Sequence, residues 1–143
     1  MSDIKTRKVL TLQAAKKIAQ AAAEKAAELN VGGAIAIVDS SGDLIYLERL
    51  EGTMPAAANI AIGKAATAAA FKRPTKKLED LIQTQRLSML DLSGITSTPY
   101  VPLMGAYPIV VGEEIVGAVS VAGAETGEND EIISQHAAAV NLG

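Results

Sequence analysis

Ala34-Ile35-Ala36-Ile37-Val38, then Asp39-Ser40-Ser41-Gly42-Asp43, then Leu44-Ile45-Tyr46-Leu47: two apolar runs enclose a cluster of turn residues. Branched aliphatics favour strands, and Asp, Ser and Gly supply turn chemistry. The stretch reads as an antiparallel hairpin. Charge returns at Glu48, Arg49 and Glu51. After the loop Gly52-Thr53-Met54-Pro55 comes an alanine-rich helix, Ala56 to Phe71, with Lys64 as its one charged side chain. Pro55 suits a helix start, where its missing N–H costs little. Small residues on every side of this helix imply packing on more than one side.

Upstream, Thr11 is placed to cap a helix whose apolar positions Ala15, Ile18, Ala22, Ala26 and Leu29 recur every three or four residues. Asn30 or Gly32 ends it, since either tolerates a left-handed backbone. Downstream, Arg73-Pro74-Thr75 breaks the alanine helix. Thr75 is the expected cap of a third, shorter helix, with Leu78, Leu81, Ile82 and Leu87 on its apolar side. Residues 88 to 107 are irregular, with a short extended piece expected at Tyr100 to Leu103. A second hairpin follows: Pro108 to Val111, a turn at Gly112-Glu113-Glu114, then Ile115 to Val121. Gly117 inside its second strand marks a bulge or the close approach of a backbone or ligand. A Gly-containing acidic loop, Ala122 to Glu128, leads into a C-terminal helix starting at Asn129-Asp130-Glu131 and running to about Val140. Acidic residues there complement the positive end of the helix dipole.

The order predicts one α+β domain over residues 1–143: a single antiparallel sheet of about five strands with helices mainly on one face. The chain has 143 residues, 49% hydrophobic, enough for a core and too apolar for disorder. A net charge of -3 without a strong basic patch argues against nucleic acid as a partner. Lys72, Arg73, Lys76 and Lys77 read as a solvated helix start. The absence of cysteine removes disulfides, thiolate nucleophiles and Cys-based metal sites, and fits a reducing cytoplasm. No signal-peptide core opens the chain, and no apolar run is long enough to span a bilayer, so no membrane partner is expected.

Four motifs, in order along nearly the whole chain, resemble the GlcG/HbpS-like family, which also forms the C-terminal domain of PduO. They are Val38-Asp39-Ser40-Ser41-Gly42-Asp43-Leu44 with Arg49; Ile62-Gly63-Lys64-Ala65-Ala66-Thr67-Ala68; Gly105-Ala106-Tyr107-Pro108-Ile109; and Ile115 to Gly123 with Asn129-Asp130-Glu131. Ala106 stands where the family usually has a second glycine, and Ala122 where it usually has serine. The resemblance implies a profilin-like or PAS-like sandwich that forms homo-oligomers. Some members are described as binding haem. One extracellular member takes part in redox sensing, and others belong to operons for glycolate, diol or aromatic degradation.

On this reading the protein is a small oligomeric ligand-binding protein that takes haem or a carboxylated small molecule in a cleft. Arg49, whose planar fork suits carboxylates, and Lys64 anchor the acidic group. Gly105, Ala106, Tyr107 and Gly123 border the cleft, and the loop Thr98 to Ala106 forms one wall. His136, the only histidine, is the candidate metal residue as a haem ligand; Tyr side chains, Met54 and Met104 are the other donors. Each residue has a bland reading beside this one: Lys64 as a snorkelling or interface lysine, Arg49 paired with Glu48 or Glu51, Tyr107 packed over the hairpin, His136 on the surface. Asp130, Glu131, Glu125 and Glu128 supply either oxygen ligands to a hard cation or helix capping. The alternative is an enzyme of lyase, isomerase or hydrolase type acting on a small organic acid, with Lys64 as stabiliser or proton donor and Tyr107 or Asp130 as its partner. No nucleophile elbow, GxGxxG or P-loop supports a serine hydrolase or nucleotide enzyme.

Overall fold

The computed structural model of the protein describes residues 2–97 and 99–143. Its centre is β1 (Ala34–Asp39), hydrogen-bonded on one side to β2 (Leu44–Arg49) and on the other to β4 (Glu114–Ala122), which in turn carries β3 (Ala106–Val111). All three pairings are antiparallel, giving one open sheet in the order β2-β1-β4-β3. Both hairpins form as read, and the Asp39 carboxylate closes the first turn by accepting the N–H groups of Ser41 and Asp43. The α+β class and the single antiparallel sheet therefore follow the sequence reading, with four strands instead of about five. The expected extended piece at Tyr100 to Leu103 stays out of the ladder. Pro99 and Pro102 have no N–H to donate, and the Val101 N–H goes to Thr67 Oγ1 at 2.8 Å.

Helices cover both faces of the sheet, where the sequence reading placed them mainly on one. The α1 (Leu12–Glu28) and α4 (Gly127–Ala138) helices pack on the face presenting Ile35, Ile37, Val119 and Val121. The α2 (Ala56–Phe71) helix packs on the face presenting Ala34, Ala36, Val38 and Ala118. The two faces differ in residue size. Alanine on the sheet meets alanine on α2, so their backbones come close. Covering both faces buries β1 from Ala34 to Val38, which is why that part of its sequence is a continuous apolar run with no polar alternation. Gly117 sits where a Cβ would run into the Val38 carbonyl of β1, so the close neighbour is backbone.

Helix ends show where local chemistry governs. Thr11 Oγ1 accepts the Ala14 N–H at 3.1 Å and caps α1. Asn30, just beyond it, takes φ 55°. Pro55 precedes α2, and Lys72 ends it in a left-handed conformation at φ 56°. Thr75 is a correction. It is the first residue of α3 (Thr75–Thr84), not its cap, and its hydroxyl makes no capping bond. A 3₁₀ helix, Leu87–Gly94, occupies part of the stretch read as irregular, and none of its residues is buried. Thr126 Oγ1 caps α4 through the Asn129 N–H, so that helix starts two residues before the expected point.

Candidate functional site

Lys64 lies in the middle of α2 and is 1% exposed. Small residues surround it on the helix, Ala61, Gly63, Ala65, Thr67 and Ala68, and its aliphatic arm runs to the end of the sheet, where β4 stops and β3 begins. There Nζ donates to the Val121 carbonyl at 2.5 Å and to Asp130 Oδ2 at 3.3 Å. Asp130 comes from the first turn of α4, from the opposite face of the sheet. Its other oxygen, Oδ1, accepts the Ala124 N–H at 2.9 Å, and the Gly123 amide faces the same carboxylate. Gly123 and Glu125 both have positive φ, 77° and 72°. The backbone thus curls around the carboxylate as an anion-binding concavity. Burial pushes Lys64 down from the usual lysine range, against the pull of Asp130. Burial likewise pushes Asp130 up, against the pull of Lys64. Both shifts bring the neutral forms closer to reach than in an exposed pair.

Gly105 faces this pair. A Cβ on it would lie 2.5 Å from Lys64 Nζ and 2.8 Å from Asp130 Cβ, and its φ of 113° is one that side chains rarely adopt. Three successive amides here donate to three side chains. The Met104 N–H goes to Glu79 Oε2 at 3.3 Å, the Gly105 N–H to Glu131 Oε1 at 3.0 Å, and the Ala106 N–H to Thr75 Oγ1 at 3.1 Å. Glu131 spends its second oxygen on the Tyr107 hydroxyl. Burial and then this carboxylate hold the Tyr107 phenol well above its ordinary range. The strand β3 is thereby clamped to α3 and α4 at its first residues.

A surface hollow of about 230 Å³ opens beside Asp130, lined by Met54, Gly123, Ala124, Glu125, Thr126, Gly127 and Asp130. The structure brings Lys64, Gly105 and Gly123 around Asp130, sets Ala106 next to them through its bond to Thr75, and joins Tyr107 through Glu131. Arg49 is elsewhere: exposed, at the end of edge strand β2. It pairs with Ala34, which pairs with Ala122, so two strand spacings, about 10 Å, separate its backbone from the end of β4. His136 is exposed in the last turn of α4, about 9 Å along the helix from Asp130. Of the loop expected as a wall, Thr98 lies outside the described residues. Thr67 holds Val101 against α2, and Met104 packs beside Gly127. Among the described residues, no group of three or more His, Cys, Asp or Glu side chains is placed to hold a metal ion.

The sequence reading weighs Asp130 and Glu131 chiefly as helix-start residues, names Asp130 as a partner of Lys64 only in the enzyme alternative, and connects neither acid to Gly105. Thr75 and Glu79 were not candidates at all. Two signals in the sequence point to the cluster: a charged residue inside an alanine helix, which demands a partner, and an Asp-Glu pair following a glycine loop.

A family model described as haem degrading protein HbpS-like matches residues 10–139. The chain is 37% identical over 118 residues to Protein GlcG of Escherichia coli (strain K12), covering 82% of this chain and 84% of that one. Among solved structures it is similar to a double mutant of Streptomyces reticuli HbpS, with a TM-score of 0.86 and 31% identity, covering 100% of this chain and 93% of the other. It is also similar to a PduOC:haem complex, with a TM-score of 0.80 and 27% identity over 95% of this chain and 98% of the other.

Proposed function

The chain belongs to the HbpS-like family, and on that footing we propose that it is a small oligomeric ligand-binding protein that takes haem or a related carboxylated molecule where α2, β4 and α4 meet. The observation that supports this reading is the buried Lys64–Asp130 pair beside the hollow lined by Met54 and Gly123. A buried ion pair contributes little net stability compared with apolar residues of the same volume. Ionisable groups shifted by burial at the edge of a hollow are a mark of function.

One chain does not by itself fit a whole haem. The hollow is about 230 Å³, below the roughly 300–1,000 Å³ of pockets that enclose larger ligands. The Lys64 ammonium is already engaged. His136 stands apart, and Met54, 52% exposed, is the thioether lining the hollow. In this proposal the hollow receives one edge of the ligand, Met54 offers a soft donor to iron, and a second copy covers the remainder. Arg49, exposed at the sheet edge, takes a carboxylate arm. Lys64 stays behind Asp130 as a positioning residue. Haem, when bound, would supply redox and oxygen chemistry.

Haemin titration of metal-free protein, read by absorbance, tests this. A saturable, red-shifted Soret band that weakens in Arg49→Ala and in Met54→Ala supports the reading. Both side chains are exposed, so the variants should fold. A band no stronger than that of an unrelated control protein overturns the haem assignment. The small hollow favours a second reading, in which a small organic acid is bound or turned over beside Asp130. There, thermal shift with short carboxylic acids should show stabilisation without haem, lost in Asp130→Asn.

A further inference from the structure

A larger hollow lies at the other end of the molecule, along the first turns of α1 against Leu142. Its volume is about 530 Å³, within the usual size range for ligand sites. It adjoins a second hollow of about 200 Å³, with which it shares Thr11, Ala14 and Leu142. The charged side chains lining the two are Lys8, Lys16 and Lys17, and no carboxylate lines either. Among the described residues, none of these three ammonium groups is paired with an acid. Lys17 Nζ donates to the Asn141 carbonyl at 3.2 Å and Lys8 Nζ to the Val111 carbonyl at 3.3 Å. These bonds hold both cations at the rim.

The smaller hollow has an apolar floor, Val111, Val116 and Leu142, with Val9 beside them 76% exposed, whereas the larger is lined mainly by polar side chains. Charge is segregated along the chain in the same sense. The first 20 residues hold Lys5, Arg7, Lys8, Lys16 and Lys17 against the single acid Asp3, in a protein whose net charge is -3. Isolated surface lysines need no explanation. The Glu114 carboxylate accepts the Lys8 backbone N–H at 2.7 Å but lines neither hollow. A cationic, ligand-sized hollow that continues into an apolar one, in an acidic protein, is a complementary match for one kind of molecule.

We propose that this groove binds a free amphiphilic anion, with a carboxylate or phosphate head at Lys8, Lys16 and Lys17 and a short hydrocarbon on Val111, Val116 and Leu142. The site is independent of the hollow beside Asp130. Calorimetric titration of the full chain with decanoate below its aggregation range tests it, with acetate, inorganic phosphate and decylammonium as comparisons. Saturable decanoate binding is expected, with the three comparison compounds weaker by about tenfold or more, since each lacks the tail or the negative head. The Lys16→Gln/Lys17→Gln variant and Leu142→Asp should each lose about tenfold in affinity. Lys76→Gln, on α3, should not change it. Equal binding of acetate or of decylammonium, or an unchanged Lys16→Gln/Lys17→Gln variant, overturns the proposal. So does capture of the protein by anionic lipid vesicles when decanoate itself does not bind.

Discussion

Lys64 Nζ and Asp130 Oδ2 lie 3.3 Å apart at the end of the sheet, joining α2 on one face to α4 on the other. The two residues are 66 positions apart in sequence. Their side chains are 2% and 12% exposed, so water screens the pair little, and each partner depends on the other to stay ionised.

Removing one partner should therefore cost more than removing both. Lys64→Met leaves a buried carboxylate with backbone amides alone and is expected to destabilise by roughly 3–5 kcal/mol. Lys64→Met combined with Asp130→Leu should recover a large part of that loss. Urea denaturation of the two single variants and the double variant measures it. Additive losses would show that the two groups do not act as a pair.

Gly105 should tolerate no side chain. Gly105→Ala places a methyl against Lys64 and Asp130 at a φ of 113°, whereas Gly52→Ala at φ 79° meets no heavy atom within 4 Å. Strain alone should cost about 1 kcal/mol at Gly52, and strain with overlap roughly 2–4 kcal/mol at Gly105. Thermal unfolding of the two variants side by side separates these terms, and equal losses would mean that the pair yields easily.

Thr75 is expected to act through its hydroxyl. Thr75→Val keeps the shape but leaves the buried Ala106 N–H without its acceptor, at a cost of about 1–3 kcal/mol. Hydrogen exchange at the Ala106 amide should accelerate in the variant beyond the change at Ile109. Unaltered protection at Ala106 would show that another group satisfies it.

Tyr107 sets an alkaline limit. Its phenol is raised above the ordinary 10.0 by burial and by Glu131, so the native state holds that proton more tightly than the unfolded chain does. The associated stability is fully present below about pH 10 and is lost as pH rises beyond it. Lys64, shifted downward, works in the opposite sense. Tyr107→Phe isolates the phenol: its stability should fall less steeply than wild type above about pH 10. Parallel curves would argue against the Glu131 contact as a source of stability.

Much of the architecture was readable locally. The Asp39–Asp43 turn, the extent of α2 and the Thr11 cap depend on residues within a few positions of one another, and the structure shows each where its chemistry puts it. Thr75 was misread for the same kind of reason. A threonine before a helix looks like a cap, but an amide 31 positions away claims its hydroxyl. Likewise, the alanines of α2 announced dense packing without saying which face of the sheet would receive it.

Periodicity, turn residues and composition determined the elements and their antiparallel pairing, because those preferences arise within single turns and hairpins. Covering of both faces, the meeting of Lys64 with Asp130, the clamping of Met104 to Ala106 by Glu79, Glu131 and Thr75, and the separation of Arg49 from that cluster were decided by the tertiary structure. Each depends on packing elements distant in the chain. A buried charge or amide takes whatever partner that packing brings within reach.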